Sequence, residues 1–244
     1  MESDHQLAER LATACGERLS ALQVSRGVSR SAGWLEDAGD ADAHAFLMDE
    51  LAVARPADSV LSEEGHDDLS RLKASRVWII DPLDGSSGFG QQNAEWAVHV
   101  ALTVNGEISA GAVSAPGLGC VATTGAPQAV EPAARQRPVV AMGRSRAWSD
   151  GRAVSEALDA EVIVCGSAGV KGLLVMLGQA DCYVHDGPLY EWDVCAPVAV
   201  ARAGGLVAGT VRAEPMIFNK RRPVVSGLIV GHDDVVSAVR GVFN

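Results

Sequence analysis

The chain has 244 residues, of which 48% are hydrophobic, and its formal net charge is −11. A chain of this length and composition can bury a large core, in one domain or in two closely joined halves. The negative charge argues against a protein that wraps nucleic acid or binds an anionic membrane surface, because both partners require basic patches. We therefore expect no nucleic-acid polymer and no membrane among its partners.

The cysteines and the N-terminal residues bear on the cellular compartment in which the protein works. The five cysteines are odd in number and show neither a CxxC pair nor a zinc-type spacing. The start, Met1 to His5, lacks the basic and apolar regions of a signal peptide, and no apolar stretch approaches the roughly 18–20 residues of a spanning helix. We expect reduced thiols in a cytoplasmic protein.

The first part of the chain alternates helical and extended patterns. Leucines from Leu7 to Leu22 recur at near-helical spacing, and the residues from Trp96 to Val104 alternate as in a strand. Asn105-Gly106 is a hairpin turn signal. In chain order, these patterns predict helices over 4–24 and 41–54 and strands over 59–62, 76–80, 96–104 and 108–114.

The second part repeats the alternation after a break. Residues 115–138 are rich in Pro, Gly and Ala, so we interpret them as a junction between two halves, 1–137 and 138–244. Strands and helices in both halves indicate a layered α/β or α+β arrangement. The later patterns predict strands over 138–142, 161–165, 181–185, 206–208 and 224–230, and helices over 149–159, 168–178, 193–203 and from 233.

The segment from Asp81 to Gly88, DPLDGSSG, is the most informative part of the sequence. It follows Val77-Trp-Ile-Ile80, which has the length and composition of a buried strand. Pro82 should stop the strand ladder, and Gly85 permits a tight turn with free backbone N–H groups. Two carboxylates beside such a turn suit a divalent metal that holds a phosphate.

Further acids follow other predicted elements. Glu63 and Glu64 come directly after strand 59–62, and Asp193 stands at the predicted start of a helix, where it could cap free N–H groups. If strands 59–62 and 76–80 are parallel neighbours, their acids emerge at the same edge of the sheet. Such carboxylates would form the oxygen-only cage that Mg²⁺ prefers.

Together these motifs resemble the signatures of the lithium-sensitive, Mg²⁺-dependent inositol monophosphatase-like phosphatases. The matching residues are Ser62-Glu-Glu64, Asp81-Pro-Leu-Asp-Gly-Ser86, and Trp192-Asp-Val-Cys-Ala196 followed by Ala203-Gly-Gly205. Residues 61–69 and 76–84 are most similar to CysQ-type 3′(2′),5′-bisphosphate nucleotidases, and Gly166 to Lys171 adds to the similarity. Those enzymes convert 3′-phosphoadenosine 5′-phosphate to AMP during sulfur assimilation.

The resemblance implies a fold, a cofactor and partners. It implies a layered αβαβα sugar-phosphatase-like fold with the active site between two α/β halves. It also implies two or three Mg²⁺ ions, a small phosphorylated metabolite as substrate, attack by a metal-activated water, and a homodimer.

The resemblance also implies roles for individual residues. The metal ligands would be Glu63, Asp81, Asp84, Asp193 and the carbonyl group of Leu83. The N–H groups of Gly85 and Ser86 would hold the phosphate, with Glu64 supporting Glu63. Asp40 would orient the Ser86 hydroxyl and through it the water, although Asp40 could equally be a plain helix N-cap. Asp186, Glu191 and Lys171 would contact the substrate.

Two departures from the pattern bear on substrate choice. Ser86 replaces the usual Thr, and Ser87-Gly88 stands where CysQ-type enzymes commonly carry a basic and an acidic residue. The histidines, His99 included, lack zinc-type spacing and should have ordinary packing or surface roles.

Three alternatives therefore stay open. The substrate could be inositol 1-phosphate or fructose 1,6-bisphosphate, or the protein could be an inactive metal- and phosphate-binding relative. It could also be a phosphatase that forms a phosphoenzyme on Asp81.

Overall fold

The computed structural model describes residues 2–24, 31–146 and 149–243. Within these residues the helices are α1 Asp4–Val24, α2 Ala32–Ala54, α3 Ser86–Gly90, α4 Asp150–Leu158, α5 Ala168–Met176, α6 Glu191–Ala203 and α7 Asp233–Phe243. The strands are β1 Ser59–Ser62, β2 Arg76–Asp84, β3 Ala97–Val104, β4 Glu107–Ala115, β5 Cys120–Thr123, β6 Val139–Met142, β7 Glu161–Val164, β8 Cys182–His185, β9 Leu189–Tyr190, β10 Val207–Gly209, β11 Val224–Val225 and β12 Leu228–Gly231. Short 3₁₀ turns lie at Ser70–Lys73 and Pro116–Leu118.

Two five-stranded sheets and one two-stranded sheet organise the described residues. The first sheet has the order β1-β2-β3-β4-β5, with β1 parallel to β2 and the remaining pairs antiparallel. The second has the order β10-β12-β8-β6-β7, in which β6 runs parallel to both of its neighbours. In the third, β9 pairs with β11. Strands 59–62 and 76–80 are parallel neighbours, which meets the condition for their acids to emerge at the same edge of the sheet.

The two large sheets and the helices form five layers. Alternate strand residues point to opposite faces, so Trp78 and Ile80 pack with α1 and α2, whereas Val77 and Ile79 pack with α5 and α6. On their other side α5 and α6 contact the second sheet through residues such as Tyr183. The far face of that sheet packs against α4 and α7. The predicted αβαβα arrangement is confirmed.

Several predicted boundaries were wrong for identifiable reasons. Helix α2 begins at Ala32 rather than at 41. Ser31 caps this start, because its hydroxyl accepts a hydrogen bond from the Trp34 N–H at 3.3 Å. Small residues dominate its first turns, so the sequence shows little of the apolar periodicity that would predict a helix there. Strand β2 continues to Asp84, although its ladder with β3 shifts register between Asp81 and Asp84, as the proline requires.

The later boundaries differ as well. The predicted junction 115–138 contains strand β5, which extends the first sheet. The predicted strand 224–230 is two strands, β11 and β12, because the chain turns at Gly227, where φ is +150°. A side chain there would collide with the His185 carbonyl oxygen at 2.7 Å. The expected homodimer stays a prediction.

The thiols and the helices can be compared with the sequence-based expectations. All five cysteines are free, as predicted. Among the described residues, no helix combines the length and apolar character needed to cross a membrane.

Helix α2 lies unusually close to the segment that follows β2. A Cβ atom at Gly39 would stand 2.6 Å from Cε1 of Phe89 and 2.8 Å from Cδ2 of Leu83, both of which are buried. The glycine therefore lets the helix approach the Asp81–Gly88 segment and brings the neighbouring Asp40 with it. By contrast, a Cβ atom at Gly33 in the same helix would meet nothing within 4 Å.

We expect Gly39→Ala to lower the free energy of unfolding by about 1–3 kcal/mol, because the added methyl group overpacks the α2–α3 contact. Gly33→Ala is the matched control. It should be neutral or stabilising by up to about 1 kcal/mol, since alanine favours an exposed helix. Urea unfolding of both variants checks this, and equal effects of the two substitutions would contradict the packing argument.

Candidate active site

Glu63 and Asp81 meet because of the register between β1 and β2. Ser62 lies opposite Ile80, and the Glu63 N–H donates to the Ile80 carbonyl at 3.3 Å, so β1 ends beside Asp81. The two carboxyl groups are close enough to influence each other's pKa. Loss of solvation, together with the nearby carboxylates, raises the pKa of Glu63 and raises that of Asp81 well above its usual range.

Three aspartates form the centre of the site. Carboxylate oxygens of Asp81, Asp84 and Asp193 all lie within 4.8 Å of one another. Asp81 is only 1% exposed; its Oδ1 accepts from the Leu83 N–H at 3.1 Å, while its Oδ2 is buried with no hydrogen-bond partner among the described residues. Buried like charges and an unsatisfied oxygen are costly unless a cation compensates them.

Asp84 is held by the start of helix α5. Its Oδ2 accepts hydrogen bonds from the Ser167 hydroxyl at 2.6 Å and the Gly169 N–H at 2.8 Å. The Nε2 atom of His99 lies 3.2 Å from the same oxygen. Burial alone would raise the pKa of Asp84, but the charges and hydrogen bonds of His99, Lys171 and Ser167 outweigh it and lower the pKa to about 2. Asp84 is therefore the carboxylate that stays ionised.

His99 is a site residue that sequence reasoning missed. It is fully buried, and its Nδ1 lies 3.0 Å from the Trp192 carbonyl oxygen, which can only accept, so Nδ1 donates. Burial opposes the charged ring, yet the Asp84 carboxylate raises the pKa of His99 overall. There is room for the ring because residue 169 is glycine, whose added Cβ would collide with Nε2. The only signal was its place on a buried strand, where a polar residue needs a partner.

Asp193 is not the N-cap residue of helix α6, although its side chain does bond to the backbone at the start of this helix. The helix begins at Glu191, so Asp193 lies in its first turn, and its Oδ2 accepts from the Tyr190 N–H at 2.7 Å. Burial and the charge of Asp84 raise the pKa of Asp193 to about 7. The other oxygen is left to face the cluster.

Asp40 lies inside helix α2, so the N-cap alternative for it was wrong. Burial, and then the charges of Glu64 and Glu63, raise its pKa to about 7. No hydrogen bond joins Asp40 to Ser86 in the part of the chain that the structure describes. The Asp40–Ser86 pair stays a prediction.

The turn after Asp84 has the shape expected of a phosphate-binding segment. Gly85 has a φ of +90°, and a side chain there would collide with the Glu95 carbonyl oxygen. Ser86 is the first residue of α3. A Cβ atom at Gly88 would stand 2.7 Å from the Glu95 carbonyl oxygen and 2.8 Å from Oδ1 of Asn93, so the departure at residue 88 follows from close packing.

The three predicted substrate contacts have other partners. Lys171 is 4% exposed, and its ammonium group donates to the Ser167 carbonyl. Asp186 accepts from Arg212 at 2.6 and 3.2 Å. Glu191 is fully buried, and its carboxylate accepts two backbone N–H groups at 2.7 and 3.1 Å. The expected substrate contacts of these three residues stay predictions, and in this structure both oxygens of Glu191 accept backbone N–H groups.

The donor set suits a hard divalent cation. Every ligand atom in the aspartate cluster is a carboxylate oxygen, which favours Mg²⁺, Ca²⁺ or Mn²⁺ over zinc or copper. The partnerless Oδ2 of Asp81 is explained if it coordinates an ion. The expected contributions of Glu63 and the Leu83 carbonyl to such a site stay predictions.

Comparison with known proteins identifies the family. Residues 3–242 match the sequence profile of the inositol monophosphatase family. The chain belongs to this family. It is 36% identical over 256 aligned positions to the 3′-phosphoadenosine 5′-phosphate phosphatase of Mycobacterium leprae (strain TN), with 98% of this chain and 93% of that protein covered. It is 30% identical over 195 positions to the 3′(2′),5′-bisphosphate nucleotidase CysQ of Escherichia coli (strain K12), covering 75% and 79%.

Solved structures show the same fold. CysQ from Bacteroides thetaiotaomicron superposes with a TM-score of 0.79 at 24% identity, covering 95% of this chain and 98% of that one. Inositol monophosphatase II from Staphylococcus aureus MSSA476 superposes with a TM-score of 0.81 at 18% identity, covering 96% and 92%. At these identities the likeness concerns the fold alone.

We expect Mg²⁺ at about 100 times its dissociation constant to stabilise the protein by about 2.7 kcal/mol, or roughly 5–10 °C in Tm. Asp84→Asn should abolish most of this shift, since the ionised member of the cluster is lost. Glu107→Gln, which removes an exposed carboxylate in β4, is the control and should keep it. Thermal unfolding with Mg²⁺ and with a chelator measures both, and an undiminished shift in Asp84→Asn would show that the cluster is not the metal site.

Proposed function

We propose that this protein is a Mg²⁺-dependent phosphomonoesterase that removes the 3′-phosphate of 3′-phosphoadenosine 5′-phosphate to give AMP. The observation that carries the proposal is the cluster of three aspartates at the end of β2 and the start of α6. It occurs in a chain that is similar over 98% of its length to a relative named for this activity.

The chain's own residues have distinct tasks in this reaction. Gly85 and Ser86 present backbone N–H groups where the chain turns after β2, and these bind the oxygens of the departing phosphoryl group. In this proposal the Ser86 hydroxyl orients the attacking water and Asp40 takes part in this; the influence of the Glu63 and Glu64 charges on the pKa of Asp40 supports its nearness to the site. Asp84 stays ionised because Ser167, Gly169 and His99 all contact its Oδ2 atom.

The carboxylate cluster would hold the metal. Glu63, Asp81, Asp84, Asp193 and the Leu83 carbonyl are the residues available to bind it. A divalent cation supplies a Lewis acid that activates water and offsets the negative charge of the phosphate ester. No protein nucleophile is needed, so we expect no covalent intermediate on Asp81.

The substrate is tested by measuring phosphate release from 3′-phosphoadenosine 5′-phosphate, inositol 1-phosphate and fructose 1,6-bisphosphate with Mg²⁺. We expect the nucleotide to be preferred by at least about tenfold in kcat/KM, which corresponds to about 1.4 kcal/mol. Added Li⁺ should inhibit, as the family resemblance implies. A preference for the sugar or inositol phosphate would keep the metal chemistry and refute the nucleotide assignment, whereas no release from any of the three would favour an inactive relative.

We expect His99→Leu to lower kcat by about 10- to 100-fold, because outer partners of metal-binding carboxylates orient them for catalysis. The substitution removes the imidazole contacts with Asp84 and with the Trp192 carbonyl, whereas leucine fills roughly the same volume as histidine. His232→Leu, at the start of α7, is the control and should leave kcat unchanged. Steady-state kinetics decides this, with circular dichroism to check folding; a folded His99→Leu variant with unaltered kcat would reduce His99 to a packing residue.

A further inference from the structure

Lys220-Arg221-Arg222 is the only place in the sequence where basic residues are adjacent, in a chain with a net charge of −11. The segment lies between β10 and β11. Arg221 and Arg222 are exposed. Within the described ranges 2–24, 31–146 and 149–243, neither guanidinium group makes an ion pair or a hydrogen bond.

The backbone of this basic segment is anchored to the first turn of α6. The buried Glu191 carboxylate accepts the Asn219 N–H at 2.7 Å and the Lys220 N–H at 3.1 Å. In return, the Glu191 N–H donates to the Pro223 carbonyl at 2.9 Å. Burial raises the pKa of Glu191, but these hydrogen bonds and the charge of Lys220 oppose that rise. Glu191 therefore holds both ends of the loop that carries the two arginines, one end through its carboxylate and the other through its backbone N–H.

A second buried side chain, that of Arg71, also holds the loop. Arg71 is 2% exposed and donates to Oδ1 of Asn219 at 2.6 Å and to the Lys220 carbonyl at 3.1 Å. The Asn219 amide returns a hydrogen bond to the Arg71 carbonyl at 3.1 Å. Asn219 itself has a φ of +58°. Two fully buried charged side chains thus fix a segment whose next two residues are unpaired arginines.

The C-terminal end of the clamped loop approaches the first turn of α6, which carries Asp193. Val224 pairs with Tyr190 in the two-stranded sheet, and the Tyr190 N–H donates to Asp193 at 2.7 Å. Paired Cα atoms are about 5 Å apart and each residue adds about 3.3 Å, so Arg222 starts within roughly 12 Å of Tyr190. The Tyr190 ring is stacked on Trp192 at 4.6 Å and is 51% exposed, so this end of α6 is open to solvent.

Four other cationic side chains among the described residues already have partners. Arg144 pairs with Glu95, Arg212 pairs with Asp186, and Lys171 is buried against the Ser167 carbonyl. Arg146 lies 3.7 Å from Asp150. Unlike these four side chains, Arg221 and Arg222 have no such partner within the described ranges, so they can bind an anion brought by a ligand.

We propose that Arg221 and Arg222 form an outer subsite that binds a second phosphate group of the substrate, the one that is not cleaved. This inference rests on the proposed function and deepens it, because it selects bisphosphorylated over monophosphorylated esters. Guanidinium groups suit a phosphate through paired, charge-assisted hydrogen bonds. Glu191 and Arg71 are positioning residues, which fix the loop before substrate arrives.

The test compares 3′-phosphoadenosine 5′-phosphate with adenosine 3′-monophosphate, which has the same scissile ester and one phosphate fewer. For Arg221→Ala/Arg222→Ala we expect kcat/KM for the bisphosphate to fall by about tenfold or more, since charge-assisted hydrogen bonds are lost. The value for the monophosphate should stay within about twofold. Arg152→Ala, which removes an exposed arginine paired with Glu156 in α4, is the control and should alter neither.

Calorimetric binding of 3′-phosphoadenosine 5′-phosphate in the presence of Mg²⁺ separates this inference from the proposed function. An equal loss on both substrates would mean that the loop merely supports the active site, and no loss on either would mean that the arginines are solvated; each result overturns the subsite. If the wild-type protein releases no phosphate from either nucleotide, the proposed function fails. In that case the binding isotherms still decide, because unaltered affinity in the double variant would also remove the subsite.

Discussion

The structure around the site depends on one buried charge, the carboxylate of Asp84. An ionised carboxylate removed from water is stable only if the protein replaces its hydration. Ser167 and Gly169 do so from helix α5, and His99 does so from strand β3. Because these groups come from the first sheet and from the middle helical layer, solvating one side chain also fixes how those two layers meet.

The same constraint accounts for residues that are otherwise hard to understand. Ser167 has a φ of +57°, an uncommon conformation for a residue other than glycine, and in this conformation its hydroxyl reaches both Asp84 and the Val170 N–H. Gly169 is small because the imidazole of His99 occupies the space above it. The ring then links Asp84 to the Trp192 carbonyl, one residue before Asp193. Two acids that are 109 positions apart in the sequence are thereby connected through one buried ring.

Glu191 has a structural role that its motif did not indicate. Its place next to Trp192-Asp193 suggested a contact with the substrate, but the chain buries it and uses both of its oxygens to hold Asn219 and Lys220. Sequence distance hid this, since the partners lie 28 and 29 residues away. The position of Lys171 near a helix start likewise did not indicate that it is buried beside Tyr183, with its ammonium group 5.1 Å from the centre of the ring.

The sequence by itself determined the local order, which comprises most helices and strands and the family motifs. These follow from periodicity, from the conformational limits of proline and glycine, and from acids placed where strands end. Only the tertiary structure decided that Asp40 lies within a helix, that His99 faces Asp84, and that Glu191 anchors a basic loop. These depend on which distant groups satisfy a buried charge, and hydrogen bonds between such groups leave no periodic trace in the sequence.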